Sequence, residues 1–374
     1  MIRMSARADH PDHLYLHVPF CRTICSYCDF CHAVYQESLA DQWLQALARE
    51  LAMREIAHPV ATVYLGGGTP TSLSLRQLDQ LLALLDPLAS GAEEYTIEVN
   101  PESLDEEKAA CLAAHGANRA SIGFQTADPA MLKLMNRRHD AEGVRRAMAL
   151  LRHAGINNLS LDLMYSLPGQ TMAQLQQSVQ CALDLKPEHL SLYSLTIEPG
   201  TVFARRGLQP CSEDLEADMY EWICRQLPAC GFQQYEISNF CQPGRESRHN
   251  MAYWEYRDFY GISCGASGKE GHRRYDMTRD LKTYLCDPLA HQDIPLRTAD
   301  EQFETVMMGL RLKRGLFLEQ FRRSFGISIQ EVYGPAISRL QQQGLLQESA
   351  GFLACTDRGF EILNTVLEEF LPDS

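Results

Sequence analysis

From residue 14 to about residue 200 the chain alternates short apolar runs with longer amphipathic stretches. No other feature restricts the fold as much, because strand, crossover helix and parallel strand repeated in order build one parallel sheet. Six runs read as strands: Leu14 to Val18, Thr62 to Leu65, Tyr95 to Val99, Arg119 to Phe124, Leu159 to Tyr165 and His189 to Thr196. Between them, segments such as ESLADQWLQALARELAMREI and TMAQLQQSVQCALDL carry apolar residues every three or four positions, the spacing of a helix with one buried face. The expected fold is α/β, a partial (β/α)6 barrel over residues 1–200.

Beyond residue 201 the rhythm loosens into a helix (Asp214 to Leu227), an aromatic-rich segment through Tyr275 and a turn region ending near Arg297. Residues 201–297 read as an extension of the barrel. Residues 298–374 read as a C-terminal helical, winged-helix-like module: two helical stretches, AISRLQQQGLL, a hairpin in ESAGFLACT and a closing helix in DRGFEILNTVLEEFL. Such modules often bind DNA, yet this one has eleven acids against seven bases from Asp300 to Asp373. The whole chain has 34 Lys and Arg against 48 Asp and Glu, so packing or partner docking is expected and nucleic acid is not. With 374 residues, 45% of them apolar, there is enough core for one large and one smaller domain. The opening MIRMSARADH has two Arg and no apolar run, and no stretch of about 18 apolar residues follows, which points to a cytoplasmic protein.

The 13 cysteines are an odd number in a chain too long to need disulfide staples, so free thiols are expected. Cys111, Cys181, Cys224 and Cys230 sit in helix-like segments and read as core residues. Cys21, Cys25 and Cys28 break that pattern, with three thiols inside eight residues directly after a strand. One reading is a zinc site completed by Cys31, His32 or His17. The other is three corners of a [4Fe-4S] cluster whose fourth iron stays open for a ligand. Parallel barrels place their chemistry in the loops after the strands' C-terminal ends, and Gly66-Gly67-Gly68-Thr69-Pro70, Asn100-Pro101 and Gln125 fall there too.

With Tyr27 and Phe30 beside it, the CxxxCxxC segment resembles the radical S-adenosylmethionine (SAM) superfamily. The resemblance implies a [4Fe-4S] cluster on Cys21, Cys25 and Cys28 whose free iron is chelated by the methionine end of SAM. It also implies that one electron from the cluster can split the sulfonium to a 5'-deoxyadenosyl radical. By the same resemblance Gly66 to Gly68 face the SAM amino group, and Glu98, Gln125 and Arg137 contact the ligand, with Arg138 as the alternative to Arg137. Asp162 resembles the acid that binds the ribose, and Tyr15, Tyr27, Gly67, Gly68 and Thr69 complete the implied SAM site.

The segments YLHVPFC, YLGGGTPTSL, IEVNPESL, LDLMYSLPGQT and SRHNMAYW narrow the likeness to the group of oxygen-independent coproporphyrinogen III oxidases and HemW heme chaperones. Three features favour the chaperones. The oxidases place a fourth cysteine where this chain has Phe30, and they carry a longer N-terminal segment, whereas here the motif begins at Tyr15. Residues His249 to Trp254 match the HNxxYW motif that the chaperones use around heme, so His249 is the implied iron ligand and Tyr253 a porphyrin contact. One departure is Ser267, where a His is usual; Cys264 nearby is a softer alternative ligand. The implied cofactors are the cluster, SAM and heme, and the implied partners are a heme or tetrapyrrole ligand, heme-acceptor proteins and a membrane surface touched peripherally. Oxidation of a tetrapyrrole substrate is the alternative activity.

Overall fold

The computed structural model describes residues 10–54, 56 and 58–371. The reading of the first nine residues as carrying no secretory signal lies outside the described residues. All six expected strands form, displaced by at most two residues at either end: β1 (His13–Val18), β2 (Thr62–Gly67), β3 (Glu94–Val99), β4 (Arg119–Gln125), β5 (Asn158–Tyr165) and β6 (His189–Ser194). They pair in parallel and in chain order.

The segment after residue 201 supplies both edges of this sheet. Beyond β6, the short strands β7 (Gln233–Gln234) and β8 (Asn239–Cys241) turn antiparallel, with β8 on β6. At the other edge β9 (Tyr260–Ile262) lies parallel to β1. The result is a nine-stranded open sheet in the order β9-β1-β2-β3-β4-β5-β6-β8-β7. A three-residue strand such as β9 has too little pattern to be seen in sequence; its pairing with β1 is what defines it.

Each central strand alternates polar and apolar residues, and the two sets face opposite ways. Leu14, Leu16, Val63, Leu65, Ile97, Ile122, Leu161 and Leu192 join the main core. Their neighbours in sequence, among them Tyr64, Glu98, Ser121, Asp162 and Ser191, line an interior cavity instead. Helices α1 (Glu37–Arg54), α2 (Leu75–Ala89), α3 (Glu106–Ala114), α4 (Ala141–His153), α5 (Met172–Asp184) and α6 (Glu213–Ala229) cover the apolar face. α2 begins at a capping box between Ser74 and Gln77 and buries Leu78, Leu81, Leu82 and Leu85. Each of those leucines contributes roughly 2 kcal/mol by leaving water.

Residues from Val306 to Phe370 form a separate core that includes Leu310, Phe321, Ile337, Leu340, Leu353 and Val366. Helices Leu318–Phe325 and Ile329–Gln342 pack on a three-stranded sheet whose hairpin, Leu346–Ser349 with Phe352–Cys355, turns through Ala350 and Gly351 at positive φ. Polar contacts join this part to the sheet: Lys313 N donates to Tyr235 O at 3.0 Å, Gln320 Nε2 to Glu255 O at 2.8 Å, and Arg274 pairs with Glu304 at 3.1 Å. No helix among the described residues is long and apolar enough to cross a membrane.

Candidate functional site

A cavity of about 510 Å³ lies at the C-terminal ends of the strands. The loop after β1 forms one wall. A two-residue parallel ladder between Phe20–Cys21 and Ala33–Val34 ties the loop's ends together, and Ser26 N donates to Met135 O at 3.0 Å to hold its middle. This brings Cys21, Cys25 and Cys28 onto the same wall. Burial pushes the Cys21 thiol up to about 12 and the Cys28 thiol up to about 11, so a bound metal has to displace their protons.

The ligand atoms of one tetrahedral zinc lie roughly 3.8 Å apart, given bonds of about 2.3 Å. Among the described residues only Asp79, Cys111 and His115, on the outer helices, gather three ligand atoms within 4.8 Å of one another. Cys21, Cys25 and Cys28 do not meet that limit, so the three thiols are not gathered around a single ion. The ligands considered for completing a zinc site also separate: His17 Nε2 is bonded to Cys31 O at 2.7 Å, Cys31 is off the cavity wall, and only His32 is on it.

The glycine loop leaves β2 under tight constraint. Gly67 has φ +101°, and a Cβ there would lie 2.3 Å from the His17 ring. Gly67 N donates to Glu98 Oε2 at 3.0 Å and Tyr64 OH to Glu98 Oε1 at 2.9 Å. Burial, with Asp162 nearby, still raises the Glu98 carboxyl to about 7. Asp162 is raised as well, by burial, against the hydroxyl of Ser121 at 2.9 Å. Thr69 Oγ1 accepts from Asn100 Nδ2 at 2.9 Å and stands 3.8 Å from Cys21 Sγ.

Arg137 reaches the cavity from the turn after the helix Pro129–Leu134. Its Nη2 donates to Asn100 Oδ1 and Gly123 O, both at 2.9 Å, and its Nη1 lies 3.5 Å from Cys25 Sγ. Arg138 is exposed, so Arg137 is the inward member of the pair. The Nε atoms of Arg137 and Arg119 are buried without a protein partner. Gln125 sits at φ +61° where the β4–β5 register shifts, a conformation that costs on the order of 1 kcal/mol and turns its side chain to the cavity. Unpaired buried guanidinium donors facing two buried acids suit a ligand carrying both positive and negative groups, and the thiol spacing suits a cluster. The residues present therefore fit both implied groups.

Cys21, Cys25, Cys28, Tyr27, Gly67, Gly68, Thr69, Glu98, Gln125, Arg137 and Asp162 all lie on the cavity wall. Tyr15 does not; its hydroxyl is 3.0 Å from His17 Nδ1, behind the wall. The wall also includes Asn100, from a loop the sequence placed there, and Tyr64, Arg119, Ser121, Ser191 and Tyr193, which the sequence reading missed. The five missed residues are the polar members of alternating strands, and that alternation was the available signal.

His249 and Tyr253 lie away from this cavity. They lie on α7 (Arg248–Trp254), whose first backbone N–H groups, of Arg248 and His249, both donate to Glu94 at 2.9 Å. This fixes the helix at the opposite, N-terminal end of the strands. The His249 ring is fully buried, with Nδ1 2.7 Å from Thr62 Oγ1 and Nε2 2.8 Å from Tyr253 OH. Burial holds its pKa well below the ordinary value, so the ring is neutral. Asn250 reaches the cavity, whereas His249 and Tyr253 do not. In this arrangement the two side chains are bonded to each other. Ser267 is exposed, with its hydroxyl 2.5 Å from Asp276, and Cys264 is buried against Cys31.

A parallel sheet with three clustered thiols, a glycine loop and buried counter-charges at its C-terminal mouth is the arrangement of a radical SAM protein. The model of the radical SAM superfamily matches residues 15–182, and that of the HemN C-terminal domain matches residues 296–362. The fold is that of the Escherichia coli coproporphyrinogen III oxidase HemN, with a TM-score of 0.85 at 24% identity over 98% of this chain and 91% of that one. Heme chaperone HemW of Lactococcus lactis is 40% identical over 97% of this chain and 98% of its own length. HemW of Bacillus subtilis is 37% identical over 96% and 99%. The chain belongs to the HemW heme chaperone family.

Proposed function

We propose that this protein is a heme chaperone that carries a [4Fe-4S] cluster and SAM, binds heme, and passes it to acceptor proteins in the cytoplasm or at a membrane surface. The observation that carries this reading is the nearly end-to-end likeness to proteins named as heme chaperones. When bound, the cluster and SAM together supply one-electron chemistry. Cys21, Cys25 and Cys28 hold the cluster and leave one iron open. Glu98, once ionised, accepts from the ligand's ammonium group, and Arg137, its guanidinium fixed by Asn100 and Gly123, pairs with the carboxylate. Gly67 and Gly68 keep side chains out of the ligand's way, while Gln125 and Asp162 accept its hydroxyl and amino hydrogens. Phe30, 60% exposed on the rim of the cavity, offers apolar surface where the oxidases have their extra cysteine. Ligation of heme by His249 requires its Nε2 to exchange the Tyr253 hydroxyl for iron.

The test is heme addition to cluster-loaded protein without oxygen, followed by its visible spectrum. A shifted Soret band is expected, and an unshifted one overturns the reading. A second reading, hydrogen abstraction from a tetrapyrrole side chain, is favoured by the completeness of the acid and guanidinium set around the cavity. Incubation with SAM, reductant and coproporphyrinogen separates the two: a chaperone returns the tetrapyrrole mass unchanged, whereas an oxidase removes carbon dioxide from it.

A further inference from the structure

Cys31 and Cys264 are 233 positions apart in sequence, yet their Sγ atoms lie 3.5 Å apart. Cys31 ends the cluster loop, and Cys264 follows β9, the strand that pairs with β1. The niche is shaped around this approach. Gly265 has φ +85°, and a Cβ there would lie 2.4 Å from the Cys31 Cβ, so only glycine admits the contact. His17 Nε2 holds the Cys31 carbonyl at 2.7 Å, and Arg279 O lies 3.2 Å from the Cys31 thiol. Cys264 is fully buried, while Cys31 is half-buried. Cys31 points away from the cavity that holds the other three thiols of its loop.

We propose that Cys31 and Cys264 form a reversible disulfide site whose oxidant is a small peroxide. Cys31 is the attacking thiol: the hydrogen bond from Cys264, with Arg279 nearby, lowers its pKa, whereas the same bond and burial push Cys264 up. The Cys31 thiolate attacks one peroxide oxygen, the O–O bond breaks, and the leaving hydroxide takes a proton to become water. The sulfenic acid at Cys31 then condenses with the Cys264 thiol, forming the S–S bond and releasing a second water. In total two thiols lose two hydrogens and one hydrogen peroxide is reduced to two waters. Closing the bond to about 2.05 Å asks for a movement of roughly 1.5 Å. The product ties the end of the cluster loop to the strand edge.

The experiment treats cluster-loaded protein with hydrogen peroxide, alkylates the remaining thiols and maps peptides by mass. The expected product joins the Cys31 and Cys264 peptides with loss of two hydrogens, and a dithiol reductant reverses it. With Cys264→Ser, a sulfenic-acid trap such as dimedone labels Cys31; with Cys31→Ser, Cys264 stays alkylatable. The Cys21→Ser, Cys25→Ser, Cys28→Ser triple variant should give the same cross-link, since the pair stands outside the cluster cavity. Alkylation of both cysteines after peroxide treatment, or a bond from Cys31 to Cys28 in its place, overturns the proposal.

Discussion

Glu98 is the residue on which cofactor binding turns. Burial lifts its carboxyl to about 7, so in the free protein it is neutral below that pH and charged above it. A cationic ligand favours the charged form, and SAM affinity should fall about tenfold as the pH drops from 8 to 6. Calorimetric titration of cluster-loaded protein at the two pH values checks this. Glu98→Gln should bind weakly at both, with the pH dependence gone; an unchanged slope would show that another group sets it. The same raised pKa favours folding below 4.5, and that contribution is lost as the pH rises through 7. Ligand-free Glu98→Gln is therefore expected to melt higher than the parent at pH 8, by up to about 3 kcal/mol before screening by cavity water. His249 works in the opposite sense, because its folded pKa is depressed. Its contribution is present above pH 6.5 and lost as the pH falls below it, by up to about 1.4 kcal/mol per pH unit.

At the scale of single elements, the glycine loop and α7 show what sequence can and cannot carry. TVYLGG, EYTIEV, RASIGFQ and HLSLYS each state their inward face by alternation, and on that face Tyr64, Glu98, Arg119, Ser121, Gly123, Gln125, Ser191 and Tyr193 reach the cavity wall, whereas the inward residues of HLYLHV lie behind it. Reading those runs simply as buried apolar strands loses this information, and with it Arg119 and Ser121. α7 was not legible in the same way. A His four residues before a Tyr looks the same whether the pair binds a ligand or itself. What places the helix is Glu94, 155 positions before His249, which accepts the first N–H groups of the helix. Gly67 offers the corresponding test. In Gly67→Ala the new Cβ meets the His17 ring at positive φ, which should cost about 1–3 kcal/mol and displace the N–H that holds Glu98. Loss of SAM affinity with retained iron and sulfide is the expected result; unimpaired affinity would mean that the loop does not position the ligand.

For the molecule as a whole, the question is how firmly the two cores are coupled. The sheet and the C-terminal part each bury their own apolar residues, and the contacts between them include the backbone bond from Lys313 to Tyr235, the ion pair Arg274–Glu304 with its half-exposed guanidinium, and Ile237 packed on the C-terminal core. Exposed pairs of this kind contribute little each, so damage to one core should stay local. Phe321 is fully buried at the centre of the C-terminal cluster, and Phe321→Ala should cost about 3–5 kcal/mol there. Amide exchange should then quicken across residues 306–370 while β1 to β6 remain protected. Cluster absorption and SAM binding, which depend only on the strand ends of the sheet, should be unchanged. Heme uptake measured on the same variant then assigns the C-terminal part: uptake that survives places the heme site on the sheet and leaves this part free to dock acceptors. If exchange instead quickens throughout and the cluster bleaches, the polar junction transmits unfolding and the two cores behave as one cooperative unit.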